Sequence, residues 1–590
     1  SPIKELKFRS NAGYEFYQSD FRQYIPVYEL SSDESNLTDD VTQTQSYSTK
    51  WTWENTINYV KRFNDNHFDF LVGQSIEKWG YGCNLSVKNS NSLFPDSFDN
   101  AYISNTQGLS TTDTEISGAP NTAGSLSSFF GRVNYNFRET YLASVVMRAD
   151  GSSNFARGHR WGYFPSLSAG WVMTNEDFMK PYAVMNFFKL RASWGQNGNC
   201  DIDNFQYLAT IAFDSDSYYY FDDKDNPSTG AYPDILPNED VTWETSEQLD
   251  FGFDARFFNS RLGLTFDWYK KTTKDWLVDA PQLASYGTGA PYINGGDVEN
   301  KGFEISFNWN DKIDNFQYSA GISLSKNKNK VTRIANGEGI IHGPENVLAQ
   351  NTDELYRAEV DYPMGYFWGY QTAGVFQNQT EIDEFLNNGG ITLQSSPVPG
   401  DLIFVNTNGD DVIDDDDKTM IGNPHPKFTM GFNFNCSYKG FDLSVNAYGA
   451  FGQQIAKCYR EFSNSPNNNY TTDVLTKYWT EEGSTNRYPR FTHGKDTNFA
   501  ELSDIYIEDG DYVKISNMSL GFDIKHVCRK LPFQKFRVYV AAQNLFTFTD
   551  YSGFDPEVGY GDGESWASGI DIGYYPSPKT ILGGINIVFF

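Results

Sequence analysis

The sequence predicts an all-β chain that folds as a transmembrane antiparallel β-barrel. Its last ten residues, 581–590, form a strongly apolar strand that ends on Phe590 with no polar tail. Chain ends of soluble domains usually fray and carry polar residues, whereas the last strand of a membrane barrel must pair with its neighbours. We therefore interpret Phe590 as the C-terminal barrel-insertion signal. Aromatic residues make up 17% of the 590 residues although only 39% are hydrophobic, which suits strands with one lipid-facing side.

Strict alternation of apolar and polar residues predicts the strands. In the segment 302–310 the apolar side chains share one face and the polar ones the other: Phe303, Ile305, Phe307 and Trp309 against Glu304, Ser306 and Asn308. Alternation over nine residues is long for a soluble strand and fits a tilted membrane strand. No run of about eighteen apolar residues occurs, so the sequence excludes a helical membrane protein.

Short polar turns join these strands in pairs and set their number at about sixteen. We assign strands near residues 4–20, 46–65, 67–88, 124–137, 139–152, 159–174, 187–199, 244–259, 261–279, 298–313, 316–334, 427–439, 441–455, 511–525, 533–552 and 579–590. The segment from Phe367 to Phe376 belongs to none of these strands and is interpreted as a loop or a segment inside the lumen. Sixteen strands alone would form a barrel of porin size, whereas barrels of about 22 strands carry a plug.

Long loops rich in Asn, Ser, Asp and Gly separate the pairs, near residues 21–45, 89–123, 200–243, 280–297, 335–426, 456–510 and 553–578. Outer-membrane barrels have short periplasmic turns and long extracellular loops. We therefore expect these seven loops on the extracellular side of a bacterial outer membrane.

Charge and motifs exclude several function classes. The chain has 46 basic and 76 acidic residues and a formal charge of -30, which argues against a nucleic-acid surface. Five cysteines are scattered and form no zinc or disulfide framework. The sequence contains no HExxH, GxSxG or P-loop motif, so we expect no enzymatic activity and no required cofactor.

One acidic loop has the spacing of a calcium-binding loop. Its oxygen ligands would be the side chains of Asn406, Asn408, Asp410, Asp414 and Asp417 and the carbonyl of Val412. The loop departs from the usual pattern, because Asn406 replaces the first Asp and Asp411 the central Gly. The alternative is a loop that its own side chains hold together through Asx turns.

A second candidate is the aromatic run Tyr218, Tyr219, Tyr220 and Phe221 in the long loop 200–243. Aromatic rings can stack on sugar rings or pack against peptide side chains, and such contacts usually lie in loops. The alternative is that these rings pack the loop onto its neighbours or onto a partner protein.

Several ordered motifs resemble the C-terminal barrel region of the SusC/RagA family of TonB-dependent outer-membrane transporters of Bacteroidetes. They extend from about residue 120 to the end, in the order of the family: GRVNYNF at 131–137, RADGSSNF at 148–155, WGYFPSLSAGW at 161–171, LRASWGQNGN at 190–199, NKGFE at 300–304, GNPHPKF at 422–428, AQNLF at 542–546 and YSGFDPE at 551–557.

The resemblance implies import of a nutrient too large for porins, an oligosaccharide or else a peptide. It further implies a SusD-like lipoprotein lid over the loops and energy from TonB acting on an N-terminal plug. The plug and about six further strands cannot be found in this sequence. The chain therefore resembles the C-terminal part of a 22-stranded transporter.

Two other function classes remain open. A free-standing barrel of sixteen strands would act as a passive porin, because it would lack a plug. A docking or scaffold barrel in a larger outer-membrane complex is the other alternative.

Overall fold

The computed structural model describes residues 4–31, 34–108, 114–219, 228–279, 287–348, 352–458, 472–491, 497–559 and 566–589. Its strands are β1 (Leu6–Ile25), β2 (Tyr28–Glu29), β3 (Ser35–Asn36), β4 (Asp40–Phe63), β5 (Asn66–Ser90), β6 (Glu115–Pro120), β7 (Gly124–Phe137), β8 (Tyr141–Ser152), β9 (Trp161–Val172), β10 (Met185–Asn199), β11 (Ile211–Tyr219), β12 (Ser228–Pro233), β13 (Glu244–Phe257), β14 (Leu262–Asp279), β15 (Tyr292–Ile313), β16 (Phe316–Ile334), β17 (Ile340–His342), β18 (Tyr356–Glu359), β19 (Tyr366–Gly369), β20 (Thr372–Val375), β21 (Leu402–Phe404), β22 (Thr419–Gly422), β23 (Phe428–Tyr438), β24 (Phe441–Phe451), β25 (Gln454–Lys457), β26 (Ile507–Asp509), β27 (Tyr512–Asp523), β28 (Lys535–Thr549), β29 (Ile570–Asp571) and β30 (Thr580–Val588).

Helices are few in the described part of the chain. The α-helices are α1 (Gln379–Asn387), α2 (Thr472–Lys477) and α3 (Thr497–Ala500). Short 3₁₀ helices occur at Phe98–Asn100, Ile103–Asn105, Met173–Asn175, Asp177–Met179, Asp415–Asp417, Asp504–Tyr506 and Ile524–His526. No helix of the described residues is both long and apolar enough to cross a membrane.

The largest sheet has 17 strands and is called the wall here: β1, β4–β10, β13–β16, β23, β24, β27, β28 and β30. Each of the sixteen strands predicted from alternation overlaps one of these strands, which confirms the all-β prediction. The additional wall strand is the short β6, which pairs with the last part of β5. Strand β30 ends at Val588, and Phe590 lies outside the described residues.

The chain divides into two compact units, which are described separately. Unit 1 comprises Ser1–Ser168, Gly195–Thr245 and Leu277–Asn294. Its strands β4 and β5 have 24 and 25 residues and pair along almost their whole length. A break in register after Thr49 is accommodated opposite Gly80, whose φ of 80° an L side chain rarely adopts.

The two faces of the wall in unit 1 differ in polarity. Phe70, Val133 and Val145 lie in one cross-strand row of exposed apolar side chains. The neighbouring residues point to the opposite face, where the Ser144 hydroxyl donates to Asn134 Oδ1 at 2.7 Å. An apolar face that is exposed in the isolated chain is what a lipid-facing surface requires.

Unit 2 comprises Ala169–Trp194, Ser246–Trp276 and Gly295–Phe590. In its part of the wall, antiparallel pairing joins β15–β16, β16–β23, β23–β24, β24–β27, β27–β28 and β28–β30. Leu443, Leu520 and Val540 form an apolar cross-strand row. The adjacent residues of the same strands, such as Asp442 and Arg537, lie on the other face.

Unit 2 also contains a folded region outside the wall, called the loop domain here and made of the described residues of 335–426, 453–511 and 551–578. It contains a four-stranded sheet of β17, β18, β19 and β22, the pair β20–β21 and a sheet of β25, β26 and β29. The segment from Phe367 to Phe376, interpreted from the sequence as a loop or a segment inside the lumen, forms most of β19 and all of β20 in this domain, within the predicted loop 335–426. Its core side chains are almost fully buried: Leu355, Tyr356, Tyr366, Phe367, Phe376, Leu402, Phe404, Ile455 and Ile570.

Candidate functional site

The polar face of the wall carries charged side chains that are held in pairs. In unit 2 the Arg537 guanidinium donates to both carboxylate oxygens of Asp442, with Nε at 2.8 Å from Oδ1 and 3.0 Å from Oδ2. A fork of this kind fixes both side chains against the neighbouring strands. The polar face therefore carries charges whose positions are fixed by their partners.

A second charged cluster on the wall of unit 2 contains two acids and one base. Arg191 Nε lies 2.9 Å from Asp254 Oδ2, and its Nη2 lies 2.9 Å from Asp267 Oδ1. Asp254 follows Phe253 in β13, so its side chain lies on the face opposite to that of Phe251 and Phe253. The pairing with Arg191 places Asp254 on that polar face.

The loop domain is held by a buried polar network. Asp401 is 2% exposed, and its Oδ1 accepts from Arg490 Nε at 2.7 Å and from Asn498 Nδ2 at 2.9 Å. Asn498 Oδ1 in turn accepts from Gln394 Nε2 at 3.0 Å and from the Leu402 amide at 2.8 Å. These bonds join two segments nearly a hundred residues apart in sequence. Removing one partner would leave the others buried and unsatisfied.

A buried lysine joins two further segments of the loop domain. Lys418 pairs with Asp353 and lies 2.8 Å from Asp415, and its ammonium is 5.3 Å from the centroid of the Tyr370 ring. Burial disfavours the charged form of Lys418, but the two carboxylates outweigh burial and raise its pKa. The hydrogen bond from Lys418 lowers the pKa of Asp415 against the opposing effect of burial. Lys418 is therefore a structural cation of the domain.

The loop predicted to resemble a calcium site is closed by its own hydrogen bonds. Asn406 Oδ1 accepts from the Gly409 amide at 2.5 Å, and Asn408 Oδ1 accepts from the Asp410 amide at 2.9 Å. Asp410 Oδ1 accepts from the Val412 amide at 2.9 Å. These are Asx turns, the second of the two alternatives.

The last two ligand positions of that loop also bond to backbone groups. Asp414 Oδ1 accepts from the Asp416 amide at 3.0 Å. Asp417 is fully buried, with Oδ1 2.7 Å from the Thr407 amide and Oδ2 3.0 Å from the Asp414 amide. Within the described part of the chain, no three His, Cys, Asp or Glu side chains are grouped to hold a metal ion. Calcium binding remains a prediction here, and the geometry supports the self-bonded loop.

The predicted aromatic contact lies at the margin of the described structure. Tyr218 and Tyr219 are the last residues of β11, which pairs with β12 in a two-stranded sheet. Tyr220 and Phe221 lie outside the described residues. Contact of this run with a substrate or a partner therefore remains a prediction.

The sequence interpretation missed the buried network around Asp401. Its members are isolated polar residues in segments without periodicity, and only three-dimensional folding brings them together. Arg490 anchors the segment 487–490 to Asp401.

The comparisons with known proteins agree with this architecture. Residues 3–545 match the family described as TonB dependent receptor-like, beta-barrel. TonB-dependent receptor P3 of Formosa agariphila is 31% identical over 598 residues, which cover 100% of this chain and 57% of that protein. TonB-dependent receptor SusC of Bacteroides thetaiotaomicron is 26% identical, with 100% of this chain and 54% of that protein covered.

A solved structure shows the same fold. The RagAB peptide transporter superposes with a TM-score of 0.81 at 21% identity, covering 100% of this chain and 60% of that chain. The chain thus spans little more than half the length of the curated relatives that it matches. With its apolar rows, its paired charges on the opposite face and the match over residues 3–545, the chain belongs to the TonB-dependent receptor-like β-barrel family of the outer membrane.

Proposed function

We propose that this chain is the barrel portion of an active outer-membrane importer of SusC type. The observation that carries the proposal is the two-faced wall, apolar on one side and lined with fixed charge pairs on the other, within a family of TonB-dependent receptors. The polar face would line the path of the substrate. TonB would supply the energy through a plug.

A SusD-like lipoprotein is the proposed partner at the loops. The loop domain supports this role, because its buried core and polar network give a preformed surface rather than a set of independent loops. A preformed surface loses less conformational entropy on binding than separate loops would.

The proposed substrate class is oligosaccharide, with peptide as the second candidate. Peptide is kept as the second candidate because the solved RagAB structure, at 21% identity, is described as a peptide transporter.

Uptake assays in cells that express the complete transporter test the proposal. Uptake of labelled oligosaccharide is compared with uptake of labelled peptide, each in cells with and without TonB. We expect uptake of one substrate class, and we expect it to be lost without TonB. Uptake that continues unchanged without TonB would overturn active import and support the passive porin.

A further inference from the structure

The turn between β27 and β28 is basic, although the chain as a whole is strongly acidic. Residues 524–549 include five Lys or Arg and no Asp or Glu, in a chain whose formal charge is -30. Arg529 and Lys530 lie in the turn itself, after the end of β27. Lys439 lies in the neighbouring turn between β23 and β24. These three cations, Lys439, Arg529 and Lys530, are called the basic rim here.

The two turns of unit 2 that carry the basic rim pack against each other. The Asp523 amide donates to the Gly440 carbonyl at 2.8 Å. A Cβ added at Gly440 would lie 2.9 Å from the Cβ of His526, and the φ of Gly440 is 92°, so this close approach requires glycine. Asp523 Oδ1 accepts from the amides of Lys525 and Phe536 at 3.1 and 3.2 Å, which closes the longer turn. The basic rim is therefore one continuous surface.

The longer turn packs on the apolar face of the wall. Phe441, Phe522 and Phe536 lie on that face, because each is an even number of residues from a member of the apolar row of unit 2. The Phe533 ring of the turn lies 5.8 Å from the ring of Phe536 and 5.3 Å from that of Phe589. The rings of Phe441 and Phe522 are 4.5 Å apart. The turn therefore leans toward the lipid-facing side of the wall.

The cations of the basic rim are accessible to an anion. Lys439, Arg529 and Lys530 are exposed, and within the described part of the chain none of them forms an ion pair. Lys439 Nζ lies 5.1 Å from the centroid of the Tyr438 ring, which is itself 46% exposed. Val527, in the same turn as Arg529, is 69% exposed. Charged groups and apolar side chains thus occur together on one exposed surface.

This combination matches the boundary between the hydrocarbon and the head groups of a membrane. Lys and Arg side chains lay their apolar stems along lipid and keep their charges at the level of the head groups. Aromatic rings collect at the same level. The short turns of outer-membrane barrels lie on the periplasmic side, where phospholipids form the leaflet. Their phosphate groups have the charge that the basic rim lacks.

We propose that the basic rim binds the phosphate head group of an anionic phospholipid in the periplasmic leaflet, with Phe441 and Phe589 beside its acyl chains. The inference goes beyond the proposed function and depends neither on the substrate nor on TonB. The neighbouring short turn between β15 and β16 has no such excess of positive charge, because Asp311 and Asp314 accompany its Lys312. Charge therefore distinguishes this part of the barrel end from the next.

Lipid titration of the purified full-length transporter in neutral detergent, followed by native mass spectrometry, tests the inference. The probes are dioleoyl phosphatidylglycerol, which is anionic, and dioleoyl phosphatidylcholine, which has the same acyl chains and no net charge. We expect wild type to bind phosphatidylglycerol more tightly. Arg529→Gln combined with Lys530→Gln should weaken this binding about 25-fold, or about fivefold for each charge removed. Arg529→Lys keeps the charge and should retain binding. Lys312→Gln is the matched control and should bind like wild type.

Three results would overturn the inference: both lipids bind equally, the double variant binds phosphatidylglycerol like wild type, or Lys312→Gln loses as much affinity as the double variant. Displacement of the lipid by an equal concentration of inorganic phosphate would show a site for a free anion and would also overturn it. The heat-dependent shift on gels checks that the variants are folded. Lys439→Gln, in the other turn, should weaken binding about fivefold and gives an independent test. TonB-dependent uptake by wild type decides the proposed function separately.

Discussion

The wall and the loop domain of unit 2 are built on different physical principles. In the wall, apolar side chains such as Leu520 and Val540 are about half exposed, and the strands are joined by regular backbone ladders. In the loop domain, strands have four residues or fewer, yet side chains such as Tyr356 and Phe367 are fully buried. The wall depends on lipid to cover its apolar rows. The loop domain depends on the hydrophobic effect in water.

Phe367→Ala should give the largest difference in stability between the loop domain and the wall. The ring is fully buried in β19, and its loss should cost the loop domain about 3–5 kcal/mol. We expect the loop domain to become sensitive to limited proteolysis while the wall stays folded, as judged by the heat-dependent shift of barrels on gels. The control is Val540→Ala in the wall, whose side chain is 56% exposed. Equal proteolysis of both variants would contradict the contrast.

A charge introduced on the lipid-facing row should have the next largest effect. Met518 lies near the middle of β27, in register with Val445 and Ala542, so Met518→Arg should cost about 2–4 kcal/mol. Its neighbour Asn517 is in register with Asn446 and Gln543 on the polar face. We expect Asn517→Arg to be tolerated. Urea unfolding in lipid vesicles measures the free energy of unfolding of both variants. Similar losses of stability in the two would show that the faces are assigned wrongly.

Asp417→Ala tests how the acidic loop is held. The variant removes a buried acceptor of backbone amides and should cost the loop domain about 1–3 kcal/mol, without any added calcium. Asp410→Ala, at an exposed position of the same loop, serves as the control. If calcium raises the thermal midpoint of wild type but not of Asp414→Ala, the calcium alternative is supported instead.

The smallest expected effect is a pH dependence confined to the loop domain. Burial lowers the pKa of His425 below 6.5, although its hydrogen bond to the Met364 carbonyl at 2.7 Å opposes the shift. The unfolded chain therefore takes up the proton first as the pH falls. The stabilisation that neutral His425 gives the loop domain is fully present above pH 6.5. It is lost as the pH falls toward the pKa that His425 has in the folded protein. His425→Gln should remove this dependence from the thermal midpoint of the loop domain, and an unchanged pH profile would contradict it.

The same contrast explains what could be predicted from the sequence. The wall strands were predictable because each presents one apolar and one polar face, so apolar and polar residues alternate in segments such as 302–310. Their pairing was predictable from the short polar turns between them. The family resemblance added the order of the motifs.

The loop domain was not predictable in this way. Its short strands are buried on both faces, so Leu355, Tyr356 and Phe367 show no alternation that distinguishes a strand from a loop. The Asp401 network joins residues far apart in sequence, and pattern reasoning has no access to such contacts. The spacing of the acidic loop was compatible with calcium because Asx turns and calcium loops use the same residue types.

The length of β4 and β5 has a consequence for where the protein meets its surroundings. A membrane strand needs only about 9–11 residues to cross the bilayer, whereas these two strands have 24 and 25. At about 3.3 Å per residue the pair is roughly 80 Å long, so more than half of it stands clear of the hydrocarbon. The far parts of β4 and β5 pair with β1 and β6, so the loop after β5 is carried on a four-stranded extension of the sheet beyond the lipid.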